Sequence, residues 1–351
     1  MPKQTIDIQG RSVGEGSPCF IIAEAGVNHN GDLDLARELI DVAAAVGADA
    51  VKFQSFKAAS LVTADAPKAA YQKRTTGEEQ SQFEMLRRLE LSEEAHRELV
   101  AHCRKKQITF LSTPFDEQSA DLLESLDVPA YKIPSGEVTN LPMLAHLAAK
   151  KLPIILSTGM CNLAEVEAAV DCLERHGNTD LVLLHCVSNY PADPADVNLR
   201  AMQTMRAAFG YPVGYSDHTQ GDPVGLAAAA LGACVIEKHF TLDRNLPGPD
   251  HQSSLEPAEL AQFIRGVRAI EAAMGTGRKK PAACEIDTAA VVRKSLVAAC
   301  DLPAGTVLTE DCVAARRPGT GLPPGMRPHI LNRKLRTGVR AGTLLDLEML
   351  S

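Results

Sequence analysis

The stretch YKIPSGE, residues 131–137, places a cation, a hydroxyl and a carboxylate within seven residues. Its first residues are apolar enough for a buried strand, Pro134 ends ladder pairing and Gly136 permits a tight turn. A polar turn with free backbone N–H groups suits an anion that has a general base beside it. A salt-bridged strand end also explains the stretch when it is taken alone, so the case for chemistry depends on the other strand ends.

Short β-rich segments alternate with amphipathic helical segments from residue 19 to residue 274. The predicted strands cover residues 19–24, 50–54, 109–112, 130–133, 154–157, 181–187, 213–216 and 234–240. The predicted helices cover residues 33–46, 92–106, 117–126, 141–150, 163–176, 199–209, 224–231 and 257–274. This repeat predicts an α/β fold, a TIM (β/α)8 barrel. A doubly wound open sheet is the alternative, because alternation alone does not show closure.

Every predicted strand ends in hydrogen-bonding residues, which a barrel would gather at one mouth. Two lysines and several hydroxyls among them fit a compact ligand that carries a phosphate and a carboxylate. These residues are Lys52, Lys132, Ser135, Ser157, Ser188 and Ser216. The chain has no Walker-type or G-x-G-x-x-G loop, which disfavours a nucleotide.

Two histidines, His218 and His239, follow the last two predicted strands. Neighbouring imidazoles at a barrel mouth indicate a divalent metal ion with open positions, and hydrogen-bonded core histidines are the alternative. Strand alternation directs Lys238 away from this site, towards the helices. Glu24 and Glu137 are both candidate acid/base groups, and the residues alone do not assign the two roles.

The segment between residues 56 and 91 is much longer than an ordinary connection from strand to helix. An insertion at the mouth of a barrel commonly covers the site. Lys68, Tyr71 and Gln72 are therefore candidates to contact substrate, with packing of the lid as the alternative role.

Ten motifs in order along nearly the whole chain resemble the sialic acid synthase family, the phosphoenolpyruvate-dependent synthases of nine-carbon α-keto acids. They are AEAGVNHNGD (23–32), VKFQSFK (51–57), FLSTPFDE (110–117), YKIPSGE (131–137), ILSTGM (155–160), HCVSNYP (185–191), GYSDHT (214–219), EKHFTLD (237–243), GPDH (248–251) and RRPGTG (316–321). The end of the chain resembles the family's small, mainly β antifreeze-like (SAF) domain. A polar, Gly-rich break after residue 274 separates the two parts, giving predicted domains at 1–282 and 285–351.

The resemblance implies condensation of phosphoenolpyruvate with the open-chain aldehyde of an N-acylated hexosamine. It implies Mn²⁺ on His218 and His239, with Mg²⁺ or Co²⁺ as alternatives, and phosphoenolpyruvate on the lysines and serines named above. It also implies a domain-swapped homodimer. The residues expected to contact the sugar are Gln54, Thr113, Phe115, Tyr190 and Asp250, with Arg317 reaching in from the partner subunit.

The expected acceptor is N-acetylmannosamine, giving N-acetylneuraminate; the alternative is a 2,4-diacetamido-trideoxyhexose, giving N,N'-diacetyllegionaminate or pseudaminate. Two other functions compete with condensation: a Schiff-base aldolase that uses Lys52 or Lys132, and a sugar-binding protein without activity.

Composition indicates a soluble protein that acts on small molecules. The formal net charge of −8 argues against a nucleic-acid surface. Nine cysteines without a C-x-x-C pair indicate reduced thiols and a cytoplasmic location. No apolar segment is long enough for a membrane span, so no membrane partner is expected.

Overall fold

A computed structural model describes residues 2–77 and 79–351 of the chain. The chain divides into two compact units, one up to Gly275 and one from Thr276 to Ser351. Each helix of the described residues is too short or too polar to cross a lipid bilayer.

The first unit opens with an antiparallel hairpin and continues as an eight-stranded parallel sheet. The hairpin strands are β1 (Thr5–Ile8) and β2 (Arg11–Gly14). The sheet strands are β3 (Phe20–Gly26), β4 (Ala50–Ser55), β5 (Thr109–Pro114), β6 (Tyr131–Ile133), β7 (Ile154–Ser157), β8 (Leu181–Cys186), β9 (Val213–Asp217) and β10 (Val235–His239). Their order is β5-β4-β3-β10-β9-β8-β7-β6, and β5 lies beside β6. The sheet therefore curls into a nearly closed barrel, as the sequence predicts.

Helices of the first unit cover the barrel or build the lid. They are α1 (Leu33–Ala45), α2 (Ala58–Leu61), α3 (Ala70–Thr76), α4 (Gln82–Leu89), α5 (Glu93–Lys106), α6 (Glu117–Ser125), α7 (Leu141–Ala149), α8 (Leu163–Arg175), α9 (Pro194–Val197), α10 (Ala201–Phe209), α11 (Pro223–Ala230) and α12 (Pro257–Met274). The eight longer helices outside the lid agree with the predicted ones to within about two residues at each end, the ordinary uncertainty of helix boundaries.

The hairpin closes the amino-terminal end of the barrel. Gln9 and Gly10 both have positive φ, which gives the turn the twist that matches two antiparallel strands. Ile6, Ile8 and Val13 are buried and pack into one cluster with the barrel interior. Substrate must therefore enter from the opposite end.

The second unit is small, with its own apolar core. Its strands β11 (Ser295–Ala298) and β12 (Val313–Arg316) pair antiparallel, and its helices are α13 (Ile286–Val292) and α14 (Arg327–Ile330). The core consists of Leu296, Ala298, Leu302, Leu308, Val313, Ile330, Leu335, Leu345 and Leu350.

A buried ion pair fixes the end of β9. The Lys238 ammonium donates to Asp217 Oδ2 at 2.8 Å and to the Thr219 carbonyl at 2.6 Å. Asp217 Oδ1 accepts from the backbone and hydroxyl of Thr219. Lys238 is absent from the residues that line the cavity described below. These contacts hold the backbone on both sides of His218.

Lys238→Met should lower the free energy of unfolding by about 3–5 kcal/mol, because it leaves the Asp217 carboxylate buried without its partner. Arg175→Met is the control: its pair with Asp171 is exposed, so the loss should be below about 1 kcal/mol. Urea unfolding of both variants measures the difference. Equal losses would show that the buried pair has no structural role.

Candidate active site

A cavity of about 330 Å³ opens at the carboxyl ends of the barrel strands. It has a floor of strand-end residues and a roof from the lid. The predicted site residues that line it are Glu24, Lys52, Gln54, Thr113, Phe115, Lys132, Ser135, Ser157, Ser188, Tyr190, Ser216, His218, His239 and Asp250. Fourteen side chains from every part of the barrel are thus gathered at one place.

Parallel register places the reactive side chains of the floor side by side. Glu24 on β3 lies opposite Lys52 on β4 and opposite His239 on β10. Glu237, two residues before His239, lies opposite Ser216 on β9. Since side chains alternate along a strand, Glu237 and His239 both point inward.

Two lysines and two glutamates form a buried cluster in the floor. Lys52 Nζ lies 2.7 Å from Glu24 Oε2, and Lys132 Nζ lies 3.2 Å from Glu237 Oε1. Lys52 also lies 3.7 Å from Glu237 Oε2 and donates to the Thr113 hydroxyl. The side chains of all four charged residues are at most 4% exposed. The positive charges that the sequence predicts are therefore largely balanced by carboxylates.

The two glutamates of this cluster titrate in opposite directions. Burial raises the pKa of Glu24 to about 7, and the neighbouring Lys52 only partly offsets this rise. Burial also opposes ionisation of Glu237, but Lys132, Lys52 and the hydrogen bond from Ser216 bring its pKa down to about 2. Near neutral pH, Glu237 is thus a fixed negative charge, whereas Glu24 can gain or lose a proton.

A small hydroxyl-lined cradle lies beside Lys132. The backbone N–H of Gly159 donates to Ser135 Oγ at 2.8 Å. A Cβ atom at Gly159 would lie 2.4 Å from Ser188 Oγ and 2.9 Å from Ser135 Oγ, so only glycine leaves this space open. The buried Ser157 hydroxyl has no hydrogen-bond partner among the described residues. Unused donors beside a lysine suit the oxygens of a phosphate.

Two imidazoles and a tyrosine form the third part of the floor. The ring centroids of His218 and His239 are 5.5 Å apart, and Tyr190 lies 4.1 Å from His218 and 5.5 Å from His239. His218 Nδ1 lies 2.7 Å from the Val187 carbonyl, so Nδ1 carries the proton and Nε2 is left as a donor for a metal. Burial, His218 and Lys52 lower the pKa of His239 well below its usual value.

These two rings fit a divalent ion with open coordination positions. Neutral imidazole nitrogen is a good ligand for such ions, and the buried Nδ1 of His239 has no partner among the described residues. In the part of the chain that the structure describes, no cluster of three or more His, Cys, Asp or Glu side chains is arranged to hold an ion. Water and substrate oxygens would have to supply the other ligands.

The structure separates the three lid candidates. Tyr71 and Gln72 line the cavity, and the Tyr71 ring lies 4.9 Å from Tyr190. Lys68 does not line it; its ammonium donates to the Thr76 hydroxyl and to the Gly77 carbonyl. Lys68 therefore packs the lid, the alternative role given above.

Glu137 is not brought to the cavity. It lies in a 3-10 turn over residues 135–137, and its carboxylate accepts a 2.6 Å hydrogen bond from Asn140 at the protein surface. The turn ends the alternation of side chains along the strand, so the sequence does not predict the direction of the Glu137 side chain. This position gives no support to Glu137 as the base. Arg317, after β12 in the second unit, is exposed, and its predicted contact with sugar stays a prediction.

Glu237 is not among the site residues that the sequence predicts, although it contacts both lysines of the floor. The signal was available, because a residue two positions before an inward-facing histidine on a strand also faces inward. Cys186, at the end of β8, also lines the cavity, and its Sγ lies 3.6 Å from His218 Nδ1.

A barrel mouth with paired lysines and glutamates, a hydroxyl cradle and two imidazoles defines an enzyme for small anionic substrates. Comparison with known proteins then gives the family. The NeuB family matches residues 39–279, and the SAF domain matches residues 293–351.

Several similar proteins are named as synthases of legionaminic or neuraminic acids. The N,N'-diacetyllegionaminic acid synthase of Legionella pneumophila is 52% identical over 336 residues, covering 95% of this chain and 94% of that protein. Its namesake in Campylobacter jejuni is 53% identical over 305 residues, covering 86% and 91%. The crystal structure of the N-acetylneuraminic acid synthetase of Leptospira borgpetersenii is 36% identical, with a TM-score of 0.72, covering 82% of this chain and 95% of that one.

The chain therefore belongs to the NeuB family and ends in a SAF domain. It is an enzyme of the nonulosonate synthase class, which makes carbon–carbon bonds with phosphoenolpyruvate. The predicted family, barrel and enzyme class are confirmed. A Schiff-base aldolase and an inactive sugar-binding protein are thereby set aside.

Ser157→Ala should weaken phosphoenolpyruvate binding by about tenfold without lowering stability, because this hydroxyl has no protein partner to lose. Ser55→Ala is the matched control. Its buried hydroxyl bonds His96 and Ser112 outside the cavity, so its loss should lower stability by about 1–3 kcal/mol and leave the ligand unaffected. Urea unfolding and calorimetric titration separate the two effects. Unchanged affinity in Ser157→Ala would remove that serine from the ligand site.

Proposed function

We propose that the protein condenses phosphoenolpyruvate with 2,4-diacetamido-2,4,6-trideoxymannose and water to give N,N'-diacetyllegionaminate and phosphate. The floor of the cavity supports the reaction, because it combines the charged cluster, the cradle and the imidazoles. The acceptor is supported by the two relatives at 52% and 53% identity, whose names specify N,N'-diacetyllegionaminic acid. These relatives favour the alternative acceptor over the expected N-acetylmannosamine, since the sialic acid synthetase compared above is 36% identical.

The floor would bind phosphoenolpyruvate by exchanging internal ion pairs for pairs with the ligand. Lys52 and Lys132 already contact carboxylates, so the ligand's anionic groups share or replace those contacts. Its phosphate would occupy the cradle of Ser135, Ser157 and Ser188, while Ser216 and Glu237 stay bonded to each other. In the proposed reaction, C3 of the enol would face the imidazoles, where the aldehyde binds.

In the reaction, a bond forms between C3 of phosphoenolpyruvate and the aldehyde carbon, and the aldehyde oxygen gains a proton. Water adds to C2 and loses a proton, the one that the aldehyde oxygen gains. The C2–O bond to phosphate then breaks, and the C2 hydroxyl gives its proton to the departing phosphate, which leaves a ketone at C2. A metal ion held by His218 and His239 would make the aldehyde carbon more electrophilic. Glu24 lies beside His239 and can hold or deliver a proton there, because its raised pKa of about 7 is close to neutral pH. Glu237 stays ionised and stabilises positive charge that develops at C2.

Phosphoenolpyruvate supplied with each acceptor in turn tests this function directly. The product mass and the released phosphate should require both substrates, and the diacetamido acceptor should give the higher kcat/KM. If phosphoenolpyruvate stays intact with both sugars, the proposed reaction is wrong.

Glu24→Gln should lower kcat by about 10²- to 10⁴-fold, because the amide cannot exchange a proton. Glu137→Gln, outside the cavity, should change kcat by less than about threefold. Steady-state phosphate release measures both. The opposite ranking would restore Glu137 as the base and remove Glu24 from proton transfer.

Removal of divalent ions should abolish condensation, and Mn²⁺ should restore it. His239→Ala should weaken binding of Mn²⁺ itself by at least about tenfold, because it removes one of two imidazole ligands. His146→Ala, on the exposed face of α7, should leave Mn²⁺ affinity unchanged. Titration followed by the electron paramagnetic resonance of free Mn²⁺ measures binding without turnover. Full activity in chelator would contradict the metal site.

We also propose that the second unit covers the active site of a second copy, with Arg317 contacting the N-acyl group there. Charge supports an attraction between copies: residues 276–351 contain 12 Lys and Arg against seven Asp and Glu, in a chain of net charge −8. Leu141, Met160 and Leu163 are exposed near the barrel mouth. A monomeric mass by light scattering would contradict this assembly.

A further inference from the structure

The cavity has two ends of different chemistry. The charged cluster, cradle and imidazoles form its floor, and the lid forms its roof. The apolar roof residues are Leu61, Val62, Met85, Leu86 and Leu89, from α2, α4 and the chain beside them. Met85, Leu86 and Leu89 belong to one buried cluster with Val27 and Phe56. The roof is therefore a packed apolar wall.

The polar residues of the roof are neutral and bond to one another. Gln82 Nε2 donates to Gln72 Oε1 at 3.2 Å, and Gln72 Nε2 donates to the Tyr71 hydroxyl at 3.3 Å. Burial raises the pKa of that phenol far above its usual value, so it stays uncharged. Amide and phenol groups of this kind match an acetamido or hydroxyl group, not an anion.

The positive side chains of the lid lie elsewhere. Lys68 is held by Thr76 and Gly77, and Arg87 and Arg88 are exposed on α4. Among the described lid residues, none that lines the cavity is charged. A phosphate placed against this wall would lose water without gaining a cation.

The direction of the sugar follows from the proposed reaction, on which this inference rests. The aldehyde at C1 must meet phosphoenolpyruvate on the floor, so an extended hexose directs C4, C5 and C6 towards the roof. We propose that the lid wall is the surface that selects the acceptor at C6. The apolar wall packs against a methyl group at C6, as in a 6-deoxy sugar, and excludes a 6-phosphate. Gln72 and Gln82 form hydrogen bonds with an acetamido group at C4.

Three acceptors that differ at one carbon test the wall in the wild-type enzyme. They are 6-deoxy-N-acetylmannosamine, N-acetylmannosamine and N-acetylmannosamine 6-phosphate. We expect kcat/KM to fall by about tenfold from the 6-deoxy sugar to the 6-hydroxyl sugar, the scale of one small group in an apolar pocket. The fall to the 6-phosphate should exceed about 10³-fold, because no charged side chain of the described lid lines the cavity to pair with a dianion at C6.

One charge placed in the wall should change this preference. Val62, at the end of α2, is only partly buried, so Val62→Lys places an ammonium at the cavity with little disturbance of the core. We expect its ratio of kcat/KM for the 6-phosphate to that for the 6-deoxy sugar to rise at least about tenfold over wild type. Ser60→Lys is the control, since Ser60 is exposed on the same helix and outside the cavity. Its ratio should stay within about twofold of wild type.

The outcomes are distinct. Condensation of all three sugars with kcat/KM within twofold would overturn the lid assignment and leave the synthase reaction standing. Equal changes in Val62→Lys and Ser60→Lys would overturn it also. Phosphoenolpyruvate left intact with these sugars and with the diacetamido acceptor would overturn the proposed reaction and the inference together. If Val62→Lys does not fold, the wild-type series alone decides.

Discussion

The charge balance in the floor of the barrel is the constraint on which the rest of this site depends. Two ammonium groups and two carboxylates are removed from water there, and each isolated charge would be costly to bury. Parallel register fixes Lys52 beside Glu24 on the neighbouring strand. Lys132 and Glu237 come from strands on opposite sides of the barrel, and their side chains meet in its interior before any ligand arrives. The floor is thus preorganised for an anion without carrying a large net positive charge, and the ligand can exchange partners with groups that are already in position.

The surroundings give Glu24 and Glu237 different pKa values, although both residues are glutamates. Glu237 has two lysines and the Ser216 hydroxyl around it, and its pKa falls to about 2. Burial raises the pKa of Glu24 to about 7; the negative charge of Glu237 adds to the rise, and Lys52 offsets only part of it. A pair of carboxylates whose pKa values are driven apart is typical of sites where one group transfers protons and the other stabilises charge. The assignment of roles follows from position in the sheet, since the residue type is the same.

The sequence predicts the fold well because strand and helix periods are strong in this chain. The segments 154–157 and 257–274 agree with the observed strand and helix at both ends. Thirteen of the predicted site residues line the cavity because side chains at strand ends must meet at one mouth, and the family resemblance adds Asp250; their roles stay predictions. The predictions fail where the alternation of side chains along a strand ends, or where this alternation was not used. Glu137 lies in a turn, where alternation gives no direction, whereas Glu237 obeyed the alternation but was not assigned. The carboxylate partners of the lysines come from other strands, and sequence spacing does not report contacts across a sheet.

Reaction and acceptor preference are carried by different layers of the structure. Eight of the ten motifs that carry the family resemblance cover the ends of barrel strands, where a change would disturb the balanced charges. The lid packs around Phe56, Ala58, Met85 and Leu86, in a cluster separate from the main core and from the barrel interior. Apolar packing tolerates substitution by side chains of other shapes, whereas a buried ion pair does not tolerate loss of one partner. The residues of the roof can therefore change while those of the floor stay the same. Relatives with the same strand-end motifs can therefore accept different sugars, and strand-end motifs alone predict the reaction but not the acceptor.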